Sequence, residues 1–138
     1  MRYRKLQGYK YQLTKDEVFH MPFLHEYDIE RKFYSVHNGD ATAKSGYAWD
    51  GCSGPTKDDS KNMFPGCGHD LGYELIRQGL INPRHREDLD EWFRQACKAR
   101  NMCNLRLWYY FKGVRKLAAF AAKRREKKEP KNIIYEVL

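Results

Sequence analysis

Between Asp50 and Gly66 the chain reads "DGCSGPTKDDSKNMFPG", a stretch so dense in Gly, Pro, Asp, Ser and Asn that regular structure is excluded over most of it. It separates two halves with different hydrophobic periods, and that division constrains the fold more than any other feature. Upstream, Tyr9, Tyr11 and Leu13 alternate with Lys10 and Gln12, the period of a half-buried strand. Residues 33–36, aromatic and β-branched, predict a second strand ending at the turn signal "HNGD", and "ATAKSGYAW" returns as its hairpin partner.

Downstream the period becomes helical. Pro65, whose fixed φ and missing N–H suit a first turn, begins a helix that Gly79 ends as a left-handed cap. Asn82 caps a second helix, with Pro83 in its first turn and Glu87 and Asp88 towards the positive end of the dipole. Leu89, Trp92, Phe93 and Ala96 give that helix an apolar stripe. A third helix carries Leu107, Tyr110, Phe111, Val114, Leu117, Ala118 and Ala121 at helical spacing and ends before Pro130; "NIIYEVL" adds a short C-terminal strand or a docking tail. The expected fold is α+β in one domain spanning 1–138. It has a small N-terminal antiparallel sheet (1–48), a long Gly/Pro/Asp loop (49–66), three packed helices (67–129) and a tail (130–138).

The net charge of +8 is unevenly placed. From Lys98 to Lys131 twelve basic residues face two acidic ones, a local +10 that leaves −2 for the remainder. Such a run is either a solvated helix face or a footprint for phosphates, in which case Arg106, Lys112, Arg115, Lys116, Lys123, Arg124 and Arg125 bind a polyanion. No stretch reaches the roughly 18 apolar residues of a membrane span, and the basic start "MRYRKLQGYKYQL" lacks the apolar run of a signal peptide. Without a secretory signal, Cys52, Cys67, Cys97 and Cys103 are expected as reduced thiols. The paired spacings of a structural zinc site are missing around Cys67 and His69.

The short helix holds the chemistry. His69 and Tyr73 are four residues apart, and Asp70 and Tyr73 three, so all three share one surface near its start, where the loop joins. An imidazole there can act as a general base, and the adjacent carboxylate can hold a hard cation with loop oxygens. Asp90, at the edge of the second helix's stripe, can reach across to orient His69; equally it can pair with Arg86 or Arg94, each four residues away. The same residues also serve a structural account, in which His69 and Asp70 brace the helix start and Tyr73 fills core. Ser53, His69 and Asp90 are the makings of a serine triad, but "GCSGP" is not the G-x-S-x-G elbow and Pro55 points to a structural turn. A two-histidine metal site using His69 and Asp70 with His20 or His37 lacks a helical scaffold upstream.

"WDGCSGPTKD", "HDLGYELIRQG" and "REDLDEWFRQA", in that order across residues 46–100, resemble a phage- and prophage-encoded family of unknown function. The resemblance gives weight to Asp50, Gly51, Ser53, Pro55, His69, Asp70, Tyr73, Asp90 and Phe93, and implies a host-cytoplasmic or virion location. The chain is also similar to secretory calcium-dependent phospholipases, in which a Gly-rich metal loop precedes a His-Asp-x-x-Tyr helix and a second helix supplies an Asp behind the His. That similarity implies His69 as the base that activates water, Asp90 as its orienting carboxylate and Tyr73 as a supporting donor. It implies calcium held by Asp70 with Asp50 and Gly51, beside a structural turn of Ser53, Gly54 and Pro55. Of that family's cysteines around the motif only Cys67 has a counterpart, and Gly72 stands where another is expected.

Three functions fit this sequence. One is metal-assisted hydrolysis of an ester, phospholipid being favoured because the basic aromatic helix can lie on anionic headgroups. Another is a non-catalytic virion component whose basic tail docks on acidic protein, DNA or membrane. The last is a nucleic-acid module using Arg106, Trp108, Lys112, Arg115 and Lys116.

Overall fold

A computed structural model describes residues 1–5, 11–49, 63–102 and 112. The described residues fall into two compact units, one within 1–49 and one within 63–102. The first holds seven described strands in two antiparallel sheets, where one small sheet was expected.

In the first sheet β1 (Tyr3–Lys5) pairs with β2 (Tyr11–Leu13), which pairs with β7 (Ala48–Trp49). The Tyr3, Tyr11 and Trp49 rings meet with centroids 5.3–6.0 Å apart. Burial of Tyr11, Gln12 and Leu13 alike shows that β2 is covered on both faces, not half-buried as its alternation suggested.

The second sheet has the order β3 (Glu17–His20), β6 (Asp40–Ala43), β5 (Tyr34–His37), β4 (Asp28–Glu30). The expected hairpin is its centre: β5 and β6 join through Asn38 and Gly39, both at positive φ (52° and 82°), as a two-residue turn of primed type requires. The strands β3 and β4 carry no readable period because each is three or four residues long and buries a single apolar side chain, Phe19 or Ile29, the neighbouring Val18 of β3 being exposed. Register nevertheless lines these up in one buried row across all four strands, Phe19, Ala41, Val36 and Ile29. One residue along, on the exposed face, lies a row of His20, Asp40, His37 and Asp28.

His37 donates from Nδ1 to Asp28 in that row and from Nε2 to Glu30 Oε1, two residues along β4, at 2.9 Å, and both ring nitrogens can donate only in the imidazolium form. The Glu30 and Asp28 hydrogen bonds accordingly raise the His37 pKa, while Lys44 and His37 lower that of Glu30. A raised histidine pKa stabilises the fold fully below about pH 6.5 and loses that contribution as pH climbs through the elevated value. An NMR titration of the ring should place His37 above the ordinary imidazole range, and Glu30→Gln should bring it down. A midpoint unmoved by Glu30→Gln contradicts the assignment.

The second unit is an antiparallel helical pair. Helix α1 (Met63–Arg77) includes Met63 and Phe64, ahead of the start expected at Pro65, and so overlaps the end of the expected loop; Pro65 lies in its first turn, where a missing N–H costs nothing. It ends as expected. Gly79 has φ +71°, its N–H bonds to Ile76 O at 3.0 Å, and Leu80 N–H bonds to Leu75 O at 2.9 Å, the two bonds of a Schellman cap. Asn82 Oδ1 accepts from Arg84 N–H at 2.9 Å, and Pro83–His85 form a 3-10 turn leading into α2 (Arg86–Ala99). The buried stripe of α2 is Leu89, Asp90, Phe93 and Cys97, with Trp92 and Ala96 only half-buried at its edge. Two helices, not three, follow the sheets among the described residues. The third and the C-terminal strand lie outside them, apart from Lys112, which is helical and exposed.

Candidate active site

The helical pair packs at short range because Gly72, midway along α1, has no side chain. A Cβ there would come within 2.2 Å of Leu89 Cδ2 and 2.8 Å of Leu89 Cδ1. A mid-helix glycine costs roughly 1 kcal/mol relative to alanine, so its presence needs a packing reason, and the fully buried Leu89 supplies it. At the far end the Arg100 guanidinium lies 3.9 Å from the centroid of the Phe64 ring, which meets Trp92 at 6.2 Å.

Close packing sets His69, on the second turn of α1, against Asp90, on the second turn of α2. His69 Nε2 lies 2.7 Å from Asp90 Oδ1, and Tyr73 Oη donates to that same oxygen at 2.7 Å. Of the alternatives open for Asp90, the geometry takes the one across the helix pair, since Arg94 instead forms a fork on Glu91 at 3.0 and 2.7 Å. The Asp90 side chain is 1% exposed and that of His69 11%, so whatever reaches the pair arrives at the imidazole. The Tyr73 ring meets that of His69 at a tilt of 52° with centroids 4.4 Å apart, and Phe93 covers another side at 5.2 Å. The ring is thereby fixed by one hydrogen bond and two aromatic walls. With Nε2–H directed at a carboxylate, a neutral imidazole carries its lone pair on Nδ1.

No family model, curated protein or solved structure matches this chain. The chemistry of the site therefore rests on its own geometry.

Asp70 follows His69 on α1 and is half-buried. The oxygen donors expected beside it, Asp50 and Gly51, and the turn of Ser53, Gly54 and Pro55 lie outside the described residues, and so do Arg106, Arg115, Lys116, Lys123, Arg124 and Arg125 of the basic segment. Among the described residues no three His, Cys, Asp or Glu side chains are grouped to hold a metal ion. Cys67 and Cys97 are buried and not joined in a disulfide. Sequence reasoning missed the part Gly72 plays, although a glycine three residues after His69 in a helix interior was the available signal. It also missed Glu74, buried on α1 with Arg77 and with Gln78 Nε2 at 2.9 Å, an ion pair that holds the helix's last turn. No helix among the described residues is long and apolar enough to cross a membrane.

Proposed function

We propose that this chain hydrolyses an ester, with phospholipid the favoured substrate, and that His69 is the general base. One observation carries the reading: Asp90 Oδ1, buried, receives both His69 Nε2 and Tyr73 Oη at 2.7 Å. A carboxylate so placed selects the tautomer with the lone pair on Nδ1 and stabilises the imidazolium formed when Nδ1 takes a proton from water. Tyr73 keeps the carboxylate from rotating away. The activated oxygen attacks the ester carbonyl, and the proton held at Nδ1 returns to the departing alcohol. The donor set at Asp70, Asp50 and Gly51 is all oxygen, the chemistry calcium takes. When bound, such an ion supplies charge stabilisation for a developing oxyanion. The reading includes membership of the phage- and prophage-encoded family that the three ordered motifs resemble, and a third, basic helix able to lie on anionic headgroups.

The test measures fatty-acid release from phosphatidylglycerol vesicles, with calcium or with chelator, for wild type and His69→Asn, alongside thermal melts. Calcium-dependent release, lost by about 10²-fold or more in His69→Asn at near-unchanged melting temperature, supports the base. No hydrolysis of phospholipid or simple esters and no stabilisation by calcium, with His69→Asn melting far below wild type, makes the pair a structural brace instead.

A further inference from the structure

The sheet unit carries an open pocket of about 420 Å³ lined by Arg4, Gln12, Leu13, Thr14, Phe33, Ser45 and Gly46, a size suited to a small organic molecule. Its polar side is built around one cation. Arg4 donates from Nε (2.8 Å) and Nη2 (2.6 Å) to Gln12 Oε1. Gln12 is itself 6% exposed and is fixed in orientation because its Nε2 donates to Gly46 O at 3.0 Å. A buried neutral amide therefore holds the guanidinium in place without cancelling its charge. Among the described residues Arg4 forms no ion pair. The nearby Asp16 uses a carboxylate oxygen to accept from Ser45 N–H at 2.8 Å and does not line the pocket.

The lining also includes apolar residues, Phe33 and Leu13. Gly46, at φ +98°, lies so close to Phe33 that a Cβ would fall 2.6 Å from its Cε1, and both residues line the space together with Leu13. Thr14 and Ser45 complete a lining that combines one cation, two hydroxyl-bearing residues and two apolar ones.

We propose that this pocket binds an organic oxyanion, a phosphate or carboxylate carried on an apolar group, with Arg4 taking the anion and Phe33 and Leu13 the apolar part. A charge-assisted hydrogen bond from a preoriented guanidinium is the strong, geometry-specific contact such a group selects. The pocket shares no residue with the His69–Asp90 pair, and its test does not depend on any hydrolytic activity.

Binding of phenyl phosphate to the full chain is followed by NMR chemical shifts, with benzyl alcohol as the neutral analogue. Phosphatidylcholine vesicles with and without phosphatidic acid are tested in parallel to distinguish a free ligand from a lipid headgroup. Arg4 is exposed, so Arg4→Gln leaves the core untouched, and unchanged far-ultraviolet dichroism verifies this. Saturable shifts of Phe33, Thr14 and Ser45 by either anionic probe, absent with the neutral one and weakened about tenfold or more by Arg4→Gln, are expected. No binding of either anion at millimolar concentration, or binding that Arg4→Gln leaves intact, overturns the proposal.

Discussion

Asp90→Ala should be the most damaging substitution in the helical pair, lowering stability by about 3–5 kcal/mol, or roughly 10–20 °C in melting temperature. The size follows from what it leaves behind: His69 Nε2 and Tyr73 Oη both lose the one buried oxygen they share. Asp90→Asn keeps an acceptor of the same shape, so its stability loss should be far smaller. Its effect on turnover should not be: removing the charge behind the imidazole should lower ester hydrolysis by about 10- to 100-fold. Melting curves and fatty-acid release for both variants separate the structural from the catalytic part of the interaction. Equal activity in Asp90→Asn and wild type would remove Asp90 from the chemistry and leave it a packing role.

Gly72→Ala tests how the pair is brought together. On an exposed helix face this change stabilises by roughly 1 kcal/mol. Here a Cβ would meet three atoms of Leu89 at 2.2–3.0 Å, and overpacking of a filled core costs about 1–3 kcal/mol. The steric term should win, giving a net loss together with weakened His69–Asp90 contact and reduced hydrolysis. Leu89→Ala alone should cost about 2–5 kcal/mol as a cavity. In combination the two substitutions should be less damaging than their sum, because the new methyl enters the space Leu89 vacates. Strict additivity in that cycle would show that the helices do not meet at this point.

Much of the helical pair was legible from the sequence because its signals are local. Gly79 and Asn82-Pro83 each declare a helix end through backbone conformation that few other residues satisfy, and His69, Tyr73 and Asp90 could be placed on facing surfaces by counting at 3.6 residues per turn. The choice between His69 and Arg94 as partner of Asp90 was not legible, since it turns on how closely two helices approach, which Gly72 and Leu89 decide jointly across 17 residues. In the sheets the Asn38-Gly39 turn was readable for the same local reason, whereas β3 and β4 were not. Phe19 and Ile29 become parts of one apolar row only through pairing with Ala41 and Val36, and no window along the chain contains that row.

The capped connection between α1 and α2 has a kinetic consequence. His69 and Asp90 are 21 residues apart, and the turn joining their helices is held at one end by the Gly79 cap and at the other by Asn82. Closing so short a loop costs little entropy, and helical hairpins rich in near-neighbour contacts assemble among the fastest of tertiary units. The sheet hairpins are also local, but Tyr11 and Trp49 must find each other across 38 residues of chain. The contact between imidazole and carboxylate should therefore form early on the folding pathway, before the strand pairing that closes the first sheet.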